Sequence, residues 1–208
     1  MGFQNKSFLN RHQISEKNTY AIMENLYENK HIMAFFKTKV DDDKAGTDFY
    51  VKMNEFNDAV NIQFKTRHDK WQDLPICRFQ PFRGITNCTI GRDYKSIVSD
   101  KNKFYFVATQ NSTKQYDKVS ITETSKIKKL LQEAESEWFP NEEPWQFFTE
   151  EIYNKYIDKK IRNHKLKTAS NGVQAWFKKN HTENFGKINL YIPVEYVDKI
   201  VELKWRST

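Results

Sequence analysis

The sequence predicts an α/β chain in which a β-sheet is flanked by helices, and three observations predict it. Apolar residues recur at helical spacing over 15–29 and 125–138. Two-residue alternation marks 47–53 and 59–67, and an apolar run marks 103–109. Helical and extended segments follow one another along the chain, so neither a helix bundle nor an all-β sandwich accounts for the pattern. A core over 1–145 and a C-terminal α/β extension over 146–208, packed together as one globular unit, are the expected organisation.

Each element has a local reason. Ser15 can cap a helix through Asn29, where Tyr20, Met23 and Tyr27 repeat at helical spacing beside Ile22 and Leu26. His31 to Lys37 is too short for a helix, and its Phe pair favours a strand. Asp41, Asp42 and Asp43, closed by Gly46, form an acidic turn. Phe49, Val51 and Met53 then alternate with Asp48, Tyr50 and Lys52. After a polar turn, Val60, Ile62 and Phe64 alternate with Asn61, Gln63, Lys65 and Arg67.

Residues 68–90 contain Pro75, Pro81 and Gly84 and read as irregular or as short edge structure. A short helix is expected over 91–100, a buried strand over 103–109 and a weaker strand over 118–122. Ile127, Leu130, Leu131, Ala134 and Trp138 form the stripe of an amphipathic helix. Thr149 can cap another helix, which ends in the basic stretch Lys159 to Lys167. A strand over 188–192 and a short helix after Pro193 complete the reading.

Composition narrows the function. Hydrophobic residues make up 38% and aromatics 15% of 208 residues, with six Gly and five Pro, which excludes a disordered or collagen-like chain. No window approaches the roughly 20 apolar residues of a membrane-spanning helix, and no apolar leader follows Met1. A soluble, intracellular and cytoplasmic protein is expected, associated with the nucleoid if bacterial, without a membrane partner. Cys77 and Cys88 lack the spacing of a zinc site and are expected to be reduced thiols.

The histidines at 12, 31, 68, 164 and 181 show neither HxxxH nor HExxH spacing, and His68 just past the 59–67 strand is most simply a surface residue. Absence of GxxxxGK[ST], GxGxxG and GxSxG disfavours nucleotide-driven motors, dinucleotide enzymes and common serine hydrolases. Lys and Arg exceed Asp and Glu by 34 to 27, a formal charge of +7, with a pI near 9.2. Residues 61–118 and 149–208 are basic while the remainder is acidic, so polyanionic partners are favoured.

Chemistry concentrates on two adjacent strands. If they form a hairpin, Asp48 lies beside Gln63 and Lys65 on one polar face, because residues two apart on a strand share a side. An anionic oxygen, a neutral oxygen ligand and an ammonium would then face one scissile phosphate. Without that chemistry, Asp48 and Lys65 form an exposed cross-strand ion pair worth about 0.2–1 kcal/mol.

Through GTDFYV (Gly46 to Val51) and IQFKTR (Ile62 to Arg67), behind an acidic helix, residues 15–110 resemble the PD-(D/E)XK nuclease superfamily. The resemblance implies a restriction-endonuclease-like core with a central mixed sheet of four to five strands flanked by helices. It places Asp48 at the first acidic position, Gln63 at the second and Lys65 at the lysine. Gln63 departs from the usual Asp or Glu. An amide adds no charge to a Mg²⁺ site, so another acid should compensate, and Glu16 of the first helix is preferred over Glu24.

The implied activity is that of a Mg²⁺- or Mn²⁺-dependent DNA endonuclease in recombination, repair or defence. Metal held by Asp48, the Gln63 side-chain oxygen and the Phe64 carbonyl would polarise the phosphate and activate water. Lys65 would orient that water or stabilise phosphorane charge, leaving a 5′ phosphate. Arg67, Lys70, Arg78, Arg83, Arg92 and Lys95, interleaved with Trp71, Phe79, Phe82 and Tyr94, are the expected nucleic-acid contacts, with Arg92 and Lys95 near a helix start. A homodimer would suit two-strand cutting. The alternatives are a catalytically inactive nucleic-acid-binding module on the same fold and an interaction scaffold with a merely basic surface.

Overall fold

A computed structural model of the chain describes residues 3–38, 47–67, 73–81, 88–140, 163–179 and 186–205, with the main chain alone at 3–15, 79–81, 88–89, 179 and 186. The acidic turn at 41–43, the helix expected from Thr149 and the boundary expected at 145 lie outside the described residues. The structure divides into two compact units that interleave along the chain. Met1–Trp71, Asn102–Thr122 and Val197–Thr208 form the first, and Gln72–Lys101 with Glu123–Tyr196 the second.

The first unit begins with α1, Phe3–Glu28. Ile22, Met23 and Leu26 are wholly buried along one face of it, as the helical spacing predicts. Its end is closed by Lys30 at φ 61°, with the Lys30 amide donating to the Tyr27 carbonyl and the His31 amide to the Leu26 carbonyl. That pair of bonds is a Schellman motif in which lysine takes the left-handed position usually given to glycine.

Strands β1 (Ala34–Lys37), β2 (Phe49–Lys52) and β3 (Val60–Arg67) follow as an antiparallel meander. Beside them lie β6 (Phe104–Gln110), β7 (Tyr116–Glu123) and β11 (Lys199–Glu202), in the order β1-β2-β3-β6-β7-β11. β6 runs parallel to β3, so the sheet is mixed. It has six strands where four to five were expected. The addition is β11, a four-residue segment whose single buried side chain, Val201, gives no readable alternation.

The core of this unit joins the apolar stripe of α1 to Phe49, Val51, Ile62, Phe64, Phe104, Phe106, Val119, Ile121 and Val201. Phe49 and Phe64 meet edge to face at 6.3 Å between centroids. Such geometry adds about 0.5–1.5 kcal/mol beyond the area buried. Asn25 exchanges two hydrogen bonds with the Lys204 main chain and so ties the end of the described chain to α1.

The second unit is built on an antiparallel sheet of five strands, ordered β5-β4-β10-β9-β8. These are β4 (Leu74–Pro81), β5 (Cys88–Ile90), β8 (Asn163–Thr168), β9 (Gln174–Lys179) and β10 (Gly186–Ile192). Two helices accompany the sheet: α2 (Arg92–Val98), which packs on β4, and α3 (Thr124–Trp138), whose buried stripe is Ile127, Leu130, Leu131, Ala134 and Trp138. A short 3-10 turn, Val194–Tyr196, follows Pro193.

Two sequence expectations are corrected here. Residues 74–81 form a full strand despite two prolines, because β5 pairs only with Phe79 to Pro81 and leaves Pro75 bonded on one side alone. Residues 163–168 form edge strand β8 and not the basic end of a helix. Its exposed, alternating-poor sequence takes extended structure from pairing with β9. β9 itself lay unread, since the hairpin joining it to β8 turns on Gly172 at φ +80°, with Asn171 reaching back to the Leu130 carbonyl of α3.

Candidate functional site

The site proposed from the sequence lies where β2 meets β3. Phe49 aligns with Ile62 across the ladder and both are buried in the core, so alternation along β3 turns Gln63 and Lys65 to the opposite face, while Asp48 immediately precedes β2. The Asp48 amide donates to the Ile62 carbonyl at 2.9 Å. On its other side the Asp48 carbonyl accepts from the Thr38 amide at 3.2 Å, while the Thr38 hydroxyl donates to the Thr47 carbonyl at 2.7 Å. Asp48 is therefore fixed between β1 and β3 before its side chain does anything.

That side chain reaches across the ladder. Asp48 Oδ2 accepts the Phe64 amide at 2.7 Å, which brings the carboxylate to the main chain between Gln63 and Lys65. Asp48 thus meets β3 at the Phe64 amide, which Gln63 and Lys65 flank in sequence. Phe64, expected to contribute its carbonyl, joins this arrangement through its N–H. Gln63 and its partner on β6, Tyr105, are wholly buried, and half-buried Lys65 is aligned with buried Val107.

Glu16 is not brought to this face. α1 covers the side of the sheet that carries Phe49 and Ile62, and the Glu16 carboxylate is paired with the Lys37 ammonium. Lys37 also stands 5.8 Å from the Tyr20 ring, on the helix side. An acid on the far side of a sheet cannot share a ligand with side chains pointing the other way. Among the described residues no group of three or more His, Cys, Asp or Glu converges on one point.

The expected nucleic-acid contacts separate. Arg67 shares the Gln63 and Lys65 face by alternation but is 8% exposed. Arg78 is likewise buried, inside the second unit, and its expected role as a phosphate contact is corrected. Its Nε donates to Glu135 Oε1 at 2.9 Å and its guanidinium stacks 3.8 Å from the centre of the Tyr94 ring. The Tyr94 hydroxyl completes the cluster by donating to Glu135 Oε2 at 2.7 Å. Burial, then the Glu135 charge, pushes the Tyr94 phenol well above the ordinary tyrosine range.

Arg92 and Lys95 are exposed on α2. Lys70, Arg83, Trp71, Phe82 and His68 lie outside the described residues, and Phe79 is described in its main chain alone. Gly91 precedes α2 because a Cβ there would fall 1.9 Å from the Cys77 carbonyl oxygen. Close approach of helix and strand thus dictates this glycine.

Two features escaped the sequence reading. Thr38 clamps the segment that carries Asp48, yet an isolated threonine after a strand has no distinguishing spacing. The Arg78, Tyr94 and Glu135 cluster joins residues far apart in sequence, and only folding unites them. The described helices include none long and apolar enough to cross a membrane. Comparison with protein-family models, with curated proteins and with solved structures finds no match.

Proposed function

We propose that the chain is a divalent-metal-dependent DNA endonuclease with a restriction-endonuclease-like core formed by α1, β1, β2, β3 and β6. One observation carries the reading: the Asp48 carboxylate is anchored across the β2–β3 hairpin to the Phe64 amide, between Gln63 and Lys65 in the sequence. The mixed sheet with a helix on its other face supports the fold assignment.

The donor set is sparse, holding one carboxylate and one carboxamide. Mg²⁺ commonly takes one or two carboxylates and fills its shell with water and substrate phosphate. These residues therefore suit an ion held jointly with the scissile phosphate. When bound by Asp48 and the Gln63 side-chain oxygen, Mg²⁺ or Mn²⁺ supplies Lewis-acid polarisation of the phosphate. Phe64 fixes the Asp48 carboxylate through its amide. Lys65 balances charge developing on the phosphoryl oxygens and orients the attacking water.

Full burial of Gln63 favours a second reading, a nucleic-acid-binding module on this fold without catalysis. A supercoiled-plasmid and branched-DNA assay in Mg²⁺ or Mn²⁺ separates the two. Catalysis predicts nicking that falls by roughly 100-fold in Asp48→Asn and in Lys65→Ala. Gel retardation without nicks in either metal establishes the second reading instead.

A further inference from the structure

The five strands of the second unit contain no Asp or Glu, whereas β8, β9 and β10 together carry Lys165, Lys167, Lys178, Lys179 and Lys187. Three of these lysines occupy one face. Lys178 is the direct cross-strand partner of Lys187, and Lys165 is the partner of Trp176, two residues along the same strand as Lys178. Lys165 and Lys187 are exposed, while Lys178 and Trp176 are half-buried.

Ammonium groups directly opposite each other destabilise a sheet. Lysine on an edge strand is a common guard against aggregation and accounts for Lys165 on β8. It does not account for Lys178 and Lys187, which lie on the two interior strands β9 and β10. A repulsive pair held there without a nearby carboxylate in the sheet is complementary to an anion.

Aromatic and amide groups occupy the same face. The Trp176 indole N–H donates to Gln174 Oε1 at 2.9 Å, which fixes the ring, and the ring meets Tyr191 edge to face at 6.5 Å. Lys178 Nζ lies 5.1 Å above the Tyr191 ring. Asn189, aligned with Trp176, is 7% exposed, and its side-chain oxygen accepts no hydrogen bond from any described residue. Lysines along one sheet face, with an indole between them, match a phosphate backbone together with an unstacked base.

From this arrangement we infer that the β8–β9–β10 face binds single-stranded nucleic acid, with Lys165, Lys178 and Lys187 on phosphates and Trp176 stacking on a base. The inference is independent of the nuclease reading, because every group belongs to the second unit and none is a residue assigned to catalysis. B-form duplex hides its base faces and gains only the phosphate contacts.

Fluorescence anisotropy with labelled oligothymidylate, measured in EDTA so that cleavage plays no part, tests it. Wild type should bind this oligonucleotide, with affinity falling as salt rises. Lys178→Glu with Lys187→Glu should weaken binding at least about tenfold and flatten the salt dependence by roughly 1.4 in log–log slope, two single-strand phosphate contacts. Trp176→Leu should weaken oligothymidylate roughly ten- to hundredfold and leave heparin binding unchanged. Lys178→Gln with Lys187→Gln, checked by thermal denaturation, guards against a folding defect.

The inference is overturned if the paired lysine variants bind oligothymidylate within twofold of wild type. It is equally overturned if blunt duplex binds as tightly as oligothymidylate and Trp176→Leu alters neither, since the face is then a general polyanion surface. Capture on phosphatidylserine vesicles without oligonucleotide binding would assign the face to a membrane and overturn it as well.

Discussion

The Asp48 carboxylate accepts the Phe64 main-chain amide at 2.7 Å, so one side chain replaces a carbonyl at the end of the β2–β3 ladder. The same residue is thus a structural acceptor and the sole carboxylate of the proposed site. Each role has its own substitution.

Asp48→Asn keeps an oxygen for the Phe64 amide and removes the charge. Its unfolding free energy should remain within about 1 kcal/mol of wild type while plasmid nicking falls roughly 100-fold. Asp48→Ala orphans the amide and should destabilise by about 1–3 kcal/mol. Urea denaturation set beside nicking rates separates the two effects; equal destabilisation of both variants would contradict the structural role.

Gln63 has no exposed surface. Gln63→Glu places a carboxylate in a buried position and, without metal, should lower the melting temperature through desolvation. If Asp48 and residue 63 share a cation, Mn²⁺ should restore the loss in this variant more than in wild type, since a ligand bound only by the folded state stabilises it. Identical metal responses in the two proteins would remove Gln63 from the proposed ligand set.

Arg78 and Glu135 form a largely buried ion pair at 2.9 Å, with side chains 9% and 15% exposed. Glu135→Ala leaves the guanidinium buried without its carboxylate and should destabilise by about 3–5 kcal/mol. DNA affinity of Arg78→Lys, measured on folded protein, should match wild type, because this cation faces Glu135 and Tyr94. A selective affinity loss would return Arg78 to the nucleic-acid contacts.

Stability should decline at both ends of the pH scale for identifiable reasons. Burial, then Lys199 and Lys204, holds the His31 imidazole below its ordinary 6.5. The unfolded chain therefore binds this proton more readily, and stability falls as pH drops through 6.5. Tyr94 is raised above its ordinary 10.0, so the folded phenol stays protonated while an unfolded one ionises. Its contribution is complete below 10.0 and declines as pH rises beyond it. Melting temperatures across pH should fall less steeply just below 6.5 in His31→Gln and just above 10.0 in Tyr94→Phe.

Local chemistry made much of the chain legible by itself. Alternation in 59–67 placed Gln63 and Lys65 on one face, because strand side chains alternate whatever the surrounding fold. The α3 stripe and the short α2 were equally readable from helical spacing. Folding alone decided that Glu16 packs on the opposite side of the sheet, that Gln63 is sealed from solvent and that Arg78 is spent on Glu135. It also made strands of 74–81 and 163–168, and it aligned Lys178 with Lys187. Sequence encodes which way a side chain points within its own element. Burial and partnership depend on what packs against that element, and the partners here come from distant parts of the chain.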